Sequence, residues 1–185
     1  MRSNHVTLAI LVAILVAPLR GEVIESTAAG FIVRNTATVN APPPAVYAAL
    51  TDSIGGWWDP AHTFSHDAHN LSLDAKPGGC FCERLPDGGG VEHMRVVYAS
   101  PGTLLRLTGA IGPLQEAAVV GTMSWNLLPT GGGTAVDLTY SVGGFRAGGF
   151  RVLATVVDRV LGGQLARLKA FVETNHPKGP LPPRE

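Results

Sequence analysis

The feature that most constrains this chain is one long amphipathic segment near its C-terminus, over residues 150–175. Its apolar residues recur every three to four positions, which is the spacing of one face of an α-helix. The segments before it follow the alternation typical of strands. A single helix among strands buries its apolar face against a sheet, and a curved sheet commonly leaves a cavity between the two layers. We therefore expect an α+β fold with a ligand cavity between an antiparallel sheet and this helix.

The central part of the chain alternates short strand candidates with turn-forming residues. Glycines and prolines separate the candidates at regular intervals, as in an antiparallel meander. A short helix is predicted over residues 45–50, started by the prolines before it and followed by a break at Gly55 and Gly56. The predicted strands span residues 31–39, 71–75, 80–85, 91–99, 104–110, 118–128 and 134–142.

The N-terminus has the pattern of a secretory signal peptide. Arg2 precedes an apolar run over residues 6–18. This run is shorter than the roughly 20 residues of a membrane span and matches a signal-peptide core. Pro18 disfavours cleavage directly after Ala17, which leaves Gly21 or Ala29 as the last residue removed. An uncleaved anchor and a wrongly assigned start are the alternatives.

We therefore predict three segments. A signal peptide spans residues 1–21, with cleavage between 17 and 29, one domain spans 30–175, and a flexible proline-rich tail spans 176–185. The protein is expected to be exported, to a bacterial periplasm, and to keep no stable membrane span after processing.

The charge pattern argues against one class of partner. Fourteen basic residues balance fourteen acidic ones, and no basic run or stripe is present. Nucleic-acid binding depends on such a basic surface. We therefore expect no nucleic-acid partner.

The two cysteines, Cys80 and Cys82, are two residues apart in one strand candidate. An exported protein lies in an oxidising compartment, which favours disulfides. On a regular strand, however, Cα atoms two residues apart are roughly 6.5 Å from each other, near the upper limit for a disulfide. We expect free buried thiols, and the alternatives are a strained redox-active pair or metal ligation.

Three histidines, His62, His66 and His69, lie in one loop. They could converge on zinc, with the cysteines or His93 as further ligands. Their spacing matches no zinc motif, and exposed loop histidines are common. We predict solvated side chains, no metal site and no cofactor.

Alternation along residues 91–99 predicts which side chains face the cavity. Met94 and Tyr98 fall on the more apolar face and are expected to point inward, whereas His93 and Arg95 are expected to point outward. Glu92 shares the inward face near a strand end. There it could pair with a nearby arginine or act as a general acid or base.

Gln164 falls in the middle of the apolar face of the last helix. A buried polar side chain needs a hydrogen-bond partner. The partner is either a strand or a neighbouring side chain, or it is a ligand in the cavity.

The order of these segments gives the chain a resemblance to a known superfamily. The strand ending in Val39 runs into the prolines at 42–44 and a short helix, and glycine-containing hairpins lie at residues 77–79, 87–90 and 131–133. Together with the terminal helix, this order resembles the helix-grip fold of the START-like (SRPBCC) superfamily. That superfamily includes polyketide cyclases and dehydrases and homologues of a heat-shock ATPase activator. The resemblance covers residues 31–174.

A closer resemblance is carried by three short segments, namely Trp57-Trp58, His62-Thr63 and the Gly-Gly-Cys-Phe-Cys-Glu sequence at 78–83. They resemble an exported bacterial branch of that superfamily, which brings no known activity. The resemblance therefore implies a fold and a cavity, whereas a reaction has to be argued from the site itself.

Aromatic side chains with polar tips suit a pocket that orients a mainly apolar ligand, although core packing alone could explain most of them. We predict an exported protein that binds a hydrophobic small molecule or lipid in the cavity. A binding protein is favoured over an enzyme, and the alternative is a cyclase- or hydrolase-type enzyme acting on an apolar substrate there. The predicted ligand-binding residues are Trp57, Trp58, Phe81, Met94, Tyr98, Trp125, Tyr140, Leu161, Gln164 and Leu168.

Overall fold

The computed structural model describes residues 19–176, and the structural statements below concern those residues. The predicted signal-peptide core and almost all of the predicted tail lie outside this range. The strands are β1 (Arg20–Ser26), β2 (Gly30–Val39), β3 (Leu71–Leu73), β4 (Cys80–Arg84), β5 (Gly90–Ser100), β6 (Leu104–Gly109), β7 (Ala118–Thr130) and β8 (Gly133–Phe145). The helices are α1 (Pro43–Asp52), α2 (Ile54–Trp57) and α3 (Arg151–Thr174), with 3₁₀ turns at Pro60–His62, Ala68–Asn70 and Gly112–Glu116.

The strands form one antiparallel sheet in the order β1-β2-β8-β7-β6-β5-β4-β3. β3 to β8 follow one another as a meander, β2 returns beside β8, and β1 pairs with β2 at the edge. α3 lies against β2 and β1. The predicted α+β helix-grip architecture, with an antiparallel meander around one long C-terminal helix, is thereby confirmed.

The predicted inner faces of β7 and β8 are also confirmed. Met123, Trp125, Leu138 and Tyr140 are each at most 2% exposed. Trp125 pairs with Leu138 and Met123 with Tyr140, so large side chains lie next to each other across the two strands. Burying one such side chain contributes about 1.5–3 kcal/mol, so this face forms a major part of the core.

β1 is a strand that the sequence pattern did not indicate. Most of its side chains are exposed, so it lacks the apolar alternation that marks a half-buried strand. It forms because its backbone pairs with β2, from Arg20 opposite Thr36 to Ser26 opposite Phe31. This strand lies before residue 30, where the predicted domain begins.

The two glycines at 55 and 56 lie in α2, so the predicted break at this point is wrong. A Cβ atom on Gly56 would lie 3.1 Å from the ring of Phe171. Glycine therefore lets α2 approach the C-terminal half of α3 closely. Trp57 is fully buried at this contact, and its backbone oxygen accepts a hydrogen bond of 2.8 Å from Nε of Arg167.

A buried polar contact links β2 to α3. Asn35 is 0% exposed, and its Nδ2 donates to Oδ1 of Asp158 over 3.1 Å. Asp158 lies in the N-terminal half of α3, so this hydrogen bond fixes the position of that half of the helix along the strand. A buried polar group that loses such a partner costs about 1–3 kcal/mol.

We predict that Asn35→Ala lowers the free energy of unfolding by about 1–3 kcal/mol, because Asp158 loses a buried donor. Arg34→Ala is the matched control on the opposite face of β2. It removes a partly exposed ion pair with Asp137, and such pairs contribute about 0–1 kcal/mol. Urea unfolding followed by circular dichroism measures both variants. A small and equal effect of the two changes would contradict this account of the contact.

Candidate functional site

A pocket of about 370 Å³ lies between the N-terminal half of α3 and the side chains of Phe81 and His93 on β4 and β5. The 3₁₀ turn Gly112–Glu116 and the loop over residues 61–64 complete its walls. We call it the α3 pocket. Its lining residues are Trp58, Ala61, His62, Thr63, Phe64, Phe81, His93, Ile111, Gly112, Pro113, Leu114, Glu116, Leu153, Val156, Val157 and Val160.

The wall formed by α3 is apolar because Leu153, Val156, Val157 and Val160 share one helical face. Val156 is 47% exposed, whereas Leu161 in the next turn is fully buried. α2 and the residues directly after it contact α3 at Gln164, Arg167 and Phe171, all in its C-terminal half. The pocket therefore lies where the helix and the sheet are not closed by α2.

A β-bulge in β5 brings His93 into this pocket. Phe81 pairs with Met94 and Cys82 with Glu92, so His93 is an extra residue without a partner in β4. A bulge interrupts the alternation of the strand, and His93 and Met94 are both buried, at 6% and 1% exposure. The prediction that His93 points outward is therefore wrong.

A second bulge in β5 changes the orientation of Tyr98. Val96 pairs with Leu107 and Tyr98 with Arg106, so Val97 is the extra residue. Tyr98 is 49% exposed, and the guanidinium of Arg106 lies 5.9 Å from the centre of its ring. The prediction that Tyr98 faces the cavity is therefore wrong.

Glu92 also lies outside the cavity, contrary to the prediction from alternation. It is exposed and forms an ion pair with Arg95, which was correctly expected to point outward. Because Glu92 does not line the α3 pocket, it is not a candidate acid or base there.

His93 forms a buried pair with Glu83 at the wall of the pocket. Nε2 of His93 lies 2.9 Å from Oε2 of Glu83, and the two side chains are 6% and 0% exposed. The carboxylate of Glu83 also accepts hydrogen bonds from the backbone N–H groups of Phe64 and Ser65. Glu83 therefore orients the imidazole and holds the loop that covers it.

The electrostatics of this pair favour a neutral imidazole beside a charged carboxylate. Burial lowers the pKa of His93, although the hydrogen bond and the charge of Glu83 oppose that shift. Burial acts to raise the pKa of Glu83, but hydrogen bonds from Ser65, Phe64 and His93 together hold it below its ordinary value. Near neutral pH, Nε2 of His93 therefore carries the proton and Nδ1 is an acceptor.

Two aromatic rings enclose the imidazole. The ring of Phe64 stacks on His93 with centroids 5.9 Å apart, and the ring of Phe81 lies 4.9 Å away. Trp58 packs against Phe81 at 5.4 Å. The imidazole is therefore a polar group in a mainly apolar surrounding.

Cys80 and Cys82 form a disulfide, in contrast to the free thiols that we expected. Their Cα atoms are 5.4 Å apart, closer than on a regular strand, at the point where β4 faces the first bulge of β5. Both are half-buried and flank the buried Phe81 on the opposite face of β4. The crosslink therefore lies directly behind the wall of the pocket.

The structure brings only part of the predicted site together. Trp58 and Phe81 line the α3 pocket. Tyr98 is on the outer face, and the remaining members other than Gln164 lie in the packed core away from the pocket lining. These core members are Trp57, Met94, Trp125, Tyr140, Leu161 and Leu168, each at most 2% exposed.

Two polar members of the predicted set have partners within the protein. Oε1 of Gln164 accepts a hydrogen bond of 2.9 Å from the backbone N–H of Asp59, so its partner lies within the protein but is not the strand or side chain that the first alternative expected. The hydroxyl of Tyr140 donates to the carbonyl oxygen of Gly109 over 3.1 Å. Burial raises the pKa of Tyr140 to about 12, so this hydroxyl stays protonated.

The three loop histidines are exposed. His69 pairs with Asp67 through Nδ1 over 2.8 Å, and His62 lies at the mouth of the α3 pocket. Within residues 19–176, no cluster of three or more histidine, cysteine, aspartate or glutamate side chains could hold a metal ion.

Sequence reasoning missed Glu83, and a signal for it was present. Glu83 is two residues after Phe81, so alternation puts it on the same inward face as that ring. A carboxylate on an inward face needs donors, which here come from the loop before it. His93 gave no such signal, because the bulge that turns it inward depends on the register between β4 and β5.

We predict that the protein loses stability as the pH falls from 7.5 to 5.5, because of His93. Its folded-state pKa is below its ordinary value of 6.5, so the unfolded chain takes up this proton first and is stabilised. Glu83 causes a second loss of stability at lower pH, as the pH falls through the lowered pKa of its own carboxyl group. Urea unfolding at a series of pH values measures the slope of the free energy of unfolding against pH.

His93→Gln keeps a side-chain N–H that can donate to Glu83 but removes the titrating group, so its slope between pH 7.5 and 5.5 should be smaller. His66→Ala removes an exposed histidine and should keep the wild-type slope. The account would be wrong if His93→Gln and the wild type had the same slope.

Comparison with solved structures shows what this fold is similar to. A conserved protein of unknown function from Enterococcus faecalis, EF2215, superposes with a TM-score of 0.58 at 16% identity, over 88% of this chain and 80% of that one. CalU16 from Micromonospora echinospora superposes with a TM-score of 0.56 at 14% identity, over 88% of each chain. DynU16, from the dynemicin biosynthetic locus, gives 0.52 at 21% identity, over 79% of this chain and 48% of that one.

At these identities the structural similarity concerns the fold. No curated protein sequence matches the chain. Of the helices within residues 19–176, none combines the length and the apolar character needed to span a membrane. The sequence does match one family model, described as polyketide cyclase / dehydrase and lipid transport, over residues 31–173. The predicted resemblance is thereby confirmed, and the chain belongs to this family of SRPBCC-type proteins.

Proposed function

We propose that this protein binds an apolar small molecule in the α3 pocket. The observation that carries the proposal is the apolar wall of α3, left uncovered by α2 and facing the aromatic side chains of Trp58 and Phe81. The volume of about 370 Å³ falls within the range of roughly 300–1,000 Å³ that is typical of small-molecule pockets. A ligand that covers this wall removes apolar surface from water, which contributes favourably to the free energy of binding.

The size of the pocket narrows the class of ligand. Its volume is near the lower end of the typical range. A compact ring system or one short acyl chain suits this space better than a two-chain lipid. The partly exposed Val156 and Phe64 form the mouth, so one end of the ligand could extend into solvent.

The family supports the same class of ligand. Its description names polyketide cyclases, dehydrases and lipid transport, which share an apolar substrate or cargo. One structural neighbour comes from a biosynthetic locus. Because function resides in the site and not in the fold, the argument for this chain rests on the lining of its own pocket.

An enzyme of cyclase type is the second candidate, and the Glu83–His93 pair is the observation that favours it. A carboxylate that orients a neutral imidazole is a common arrangement for a general base. Here the imidazole lines an apolar pocket. Turnover of an apolar substrate that is lost in His93→Phe would favour this candidate over binding alone.

We also propose that the protein acts after export. The apolar run at residues 6–18 supports a signal peptide. The disulfide between Cys80 and Cys82 supports an oxidising compartment such as a periplasm, because thiols in a cytosol are kept reduced. β1 favours cleavage after Gly21, since cleavage after Ala29 would remove the whole strand and expose the edge of β2.

We predict that Val160→Trp weakens the binding of naphthalene at least tenfold, because the larger side chain fills the α3 pocket. Val152→Trp is the matched control, since Val152 is on the same helix but is 79% exposed and does not line the pocket. Fluorescence titration measures affinity, and circular dichroism verifies that both variants fold. Equal binding to the two variants would contradict the proposed site.

We predict that the mature protein begins at Glu22 when the full chain is expressed with export in a bacterium. Intact-mass spectrometry of the periplasmic fraction measures the first residue. A chain that begins at Gly30, or one that keeps residues 1–21, would contradict this proposal.

A further inference from the structure

Nδ1 of His93 is a buried-side-chain atom of the pocket lining that has no hydrogen-bond partner within residues 19–176. Other polar side-chain atoms of the lining have partners. Nε1 of Trp58 donates to the carbonyl oxygen of His62, and the hydroxyl of Thr63 donates to the carbonyl oxygen of Pro60. Nε2 of His93 is held by Glu83. None of the hydrogen bonds within residues 19–176 involves Nδ1 of His93, although the side chain lines the pocket.

The charge of Glu83 decides what this atom can do. The carboxylate receives N–H donors from Phe64, Ser65 and His93, which is the pattern of an ionised group. It therefore keeps the proton of the imidazole on Nε2. Nδ1 is left as an acceptor, and a ligand has to supply the donor.

The imidazole cannot easily avoid this requirement. Rotating the ring to present its N–H to the pocket would break the hydrogen bond with Glu83, whose side chain is 0% exposed. The rings of Phe64 and Phe81 also pack against the imidazole, with centroids 5.9 and 4.9 Å away. The other titratable groups of the lining, His62 and Glu116, are exposed at the mouth.

We propose that the α3 pocket recognises ligands that combine an apolar body with one hydroxyl group, which donates a hydrogen bond to Nδ1 of His93. This inference rests on the proposed function, because it requires that the pocket binds apolar molecules at all. An apolar ligand without a donor leaves Nδ1 both desolvated and unpaired, and such mismatches are strongly discriminated. Phenols and enols of compact ring systems fit this description.

The first test compares three probes on the wild-type protein, namely naphthalene, 2-naphthol and 2-methoxynaphthalene. We expect 2-naphthol to bind about tenfold more tightly than naphthalene. We expect 2-methoxynaphthalene to show no such gain, because its ether oxygen only accepts. Equal affinity for naphthalene and 2-naphthol would overturn this inference and leave the proposed pocket standing. No binding of any probe would overturn the proposed function itself.

The second test uses one histidine variant inside the pocket and one outside it. His93→Phe should bind naphthalene and 2-naphthol equally, because it removes the acceptor and keeps an aromatic ring. His69→Phe is the matched control, since His69 is exposed and does not line the pocket, and it should keep the wild-type preference. Loss of the preference in His69→Phe, or its retention in His93→Phe, would overturn the assignment to Nδ1.

A third measurement needs no variant and therefore does not depend on how His93→Phe folds. The ¹⁵N spectrum of the histidine side chains reports which imidazole nitrogen carries the proton. We expect His93 to be protonated at Nε2 and its Nδ1 signal to move with 2-naphthol but not with naphthalene. Protonation at Nδ1, or the same response to both probes, would overturn the inference.

Discussion

The packing of α2 against the C-terminal half of α3 is the constraint on which the rest of the structure depends. Gly56 allows the close approach, with Phe171 directly beneath it. Arg167 donates a hydrogen bond to the backbone oxygen of Trp57, the last residue of α2, and Gln164 accepts one from the backbone N–H of Asp59 just after it. Around the C-terminal half of α3 the apolar side chains are closely packed, and Leu165 and Leu168 are fully buried. The N-terminal half of α3 lines the α3 pocket instead.

The chemistry of the cavity is set by an irregularity in β5. The bulge at His93 turns a polar residue toward an apolar space, and Glu83 provides the charge that fixes the imidazole in one orientation. The disulfide between Cys80 and Cys82 lies behind the same part of β4, opposite the bulge. The bulge, the disulfide and the Glu83–His93 pair therefore all lie in one short stretch of β4 and β5. Without these features the pocket would select ligands by shape alone. With them, the pocket we propose also selects for a hydroxyl group, because Nδ1 of His93 can accept its hydrogen bond.

The fold could be predicted from the sequence because it depends on patterns that are local. The amphipathic spacing of α3 and the regular alternation of β7 and β8, which put Trp125 and Tyr140 in the core, need no knowledge of neighbours. The site depends on how neighbours are registered. Alternation failed for His93 and Tyr98 because each follows from a bulge, and β1 gave no signal because its side chains are mostly exposed. The predicted site residues also assumed a cavity along the whole of α3. They could not anticipate that α2 closes half of it.

The most direct test of this account is to locate a bound apolar ligand by nuclear Overhauser effects to the methyl groups of α3, with 2-naphthol as the probe. The account predicts contacts to Val157 and Val160, and to Leu114 on the opposite wall. Contacts to Leu165 and Leu168 without any to Val157 would contradict it, because these two buried residues lie in the half of α3 that α2 closes.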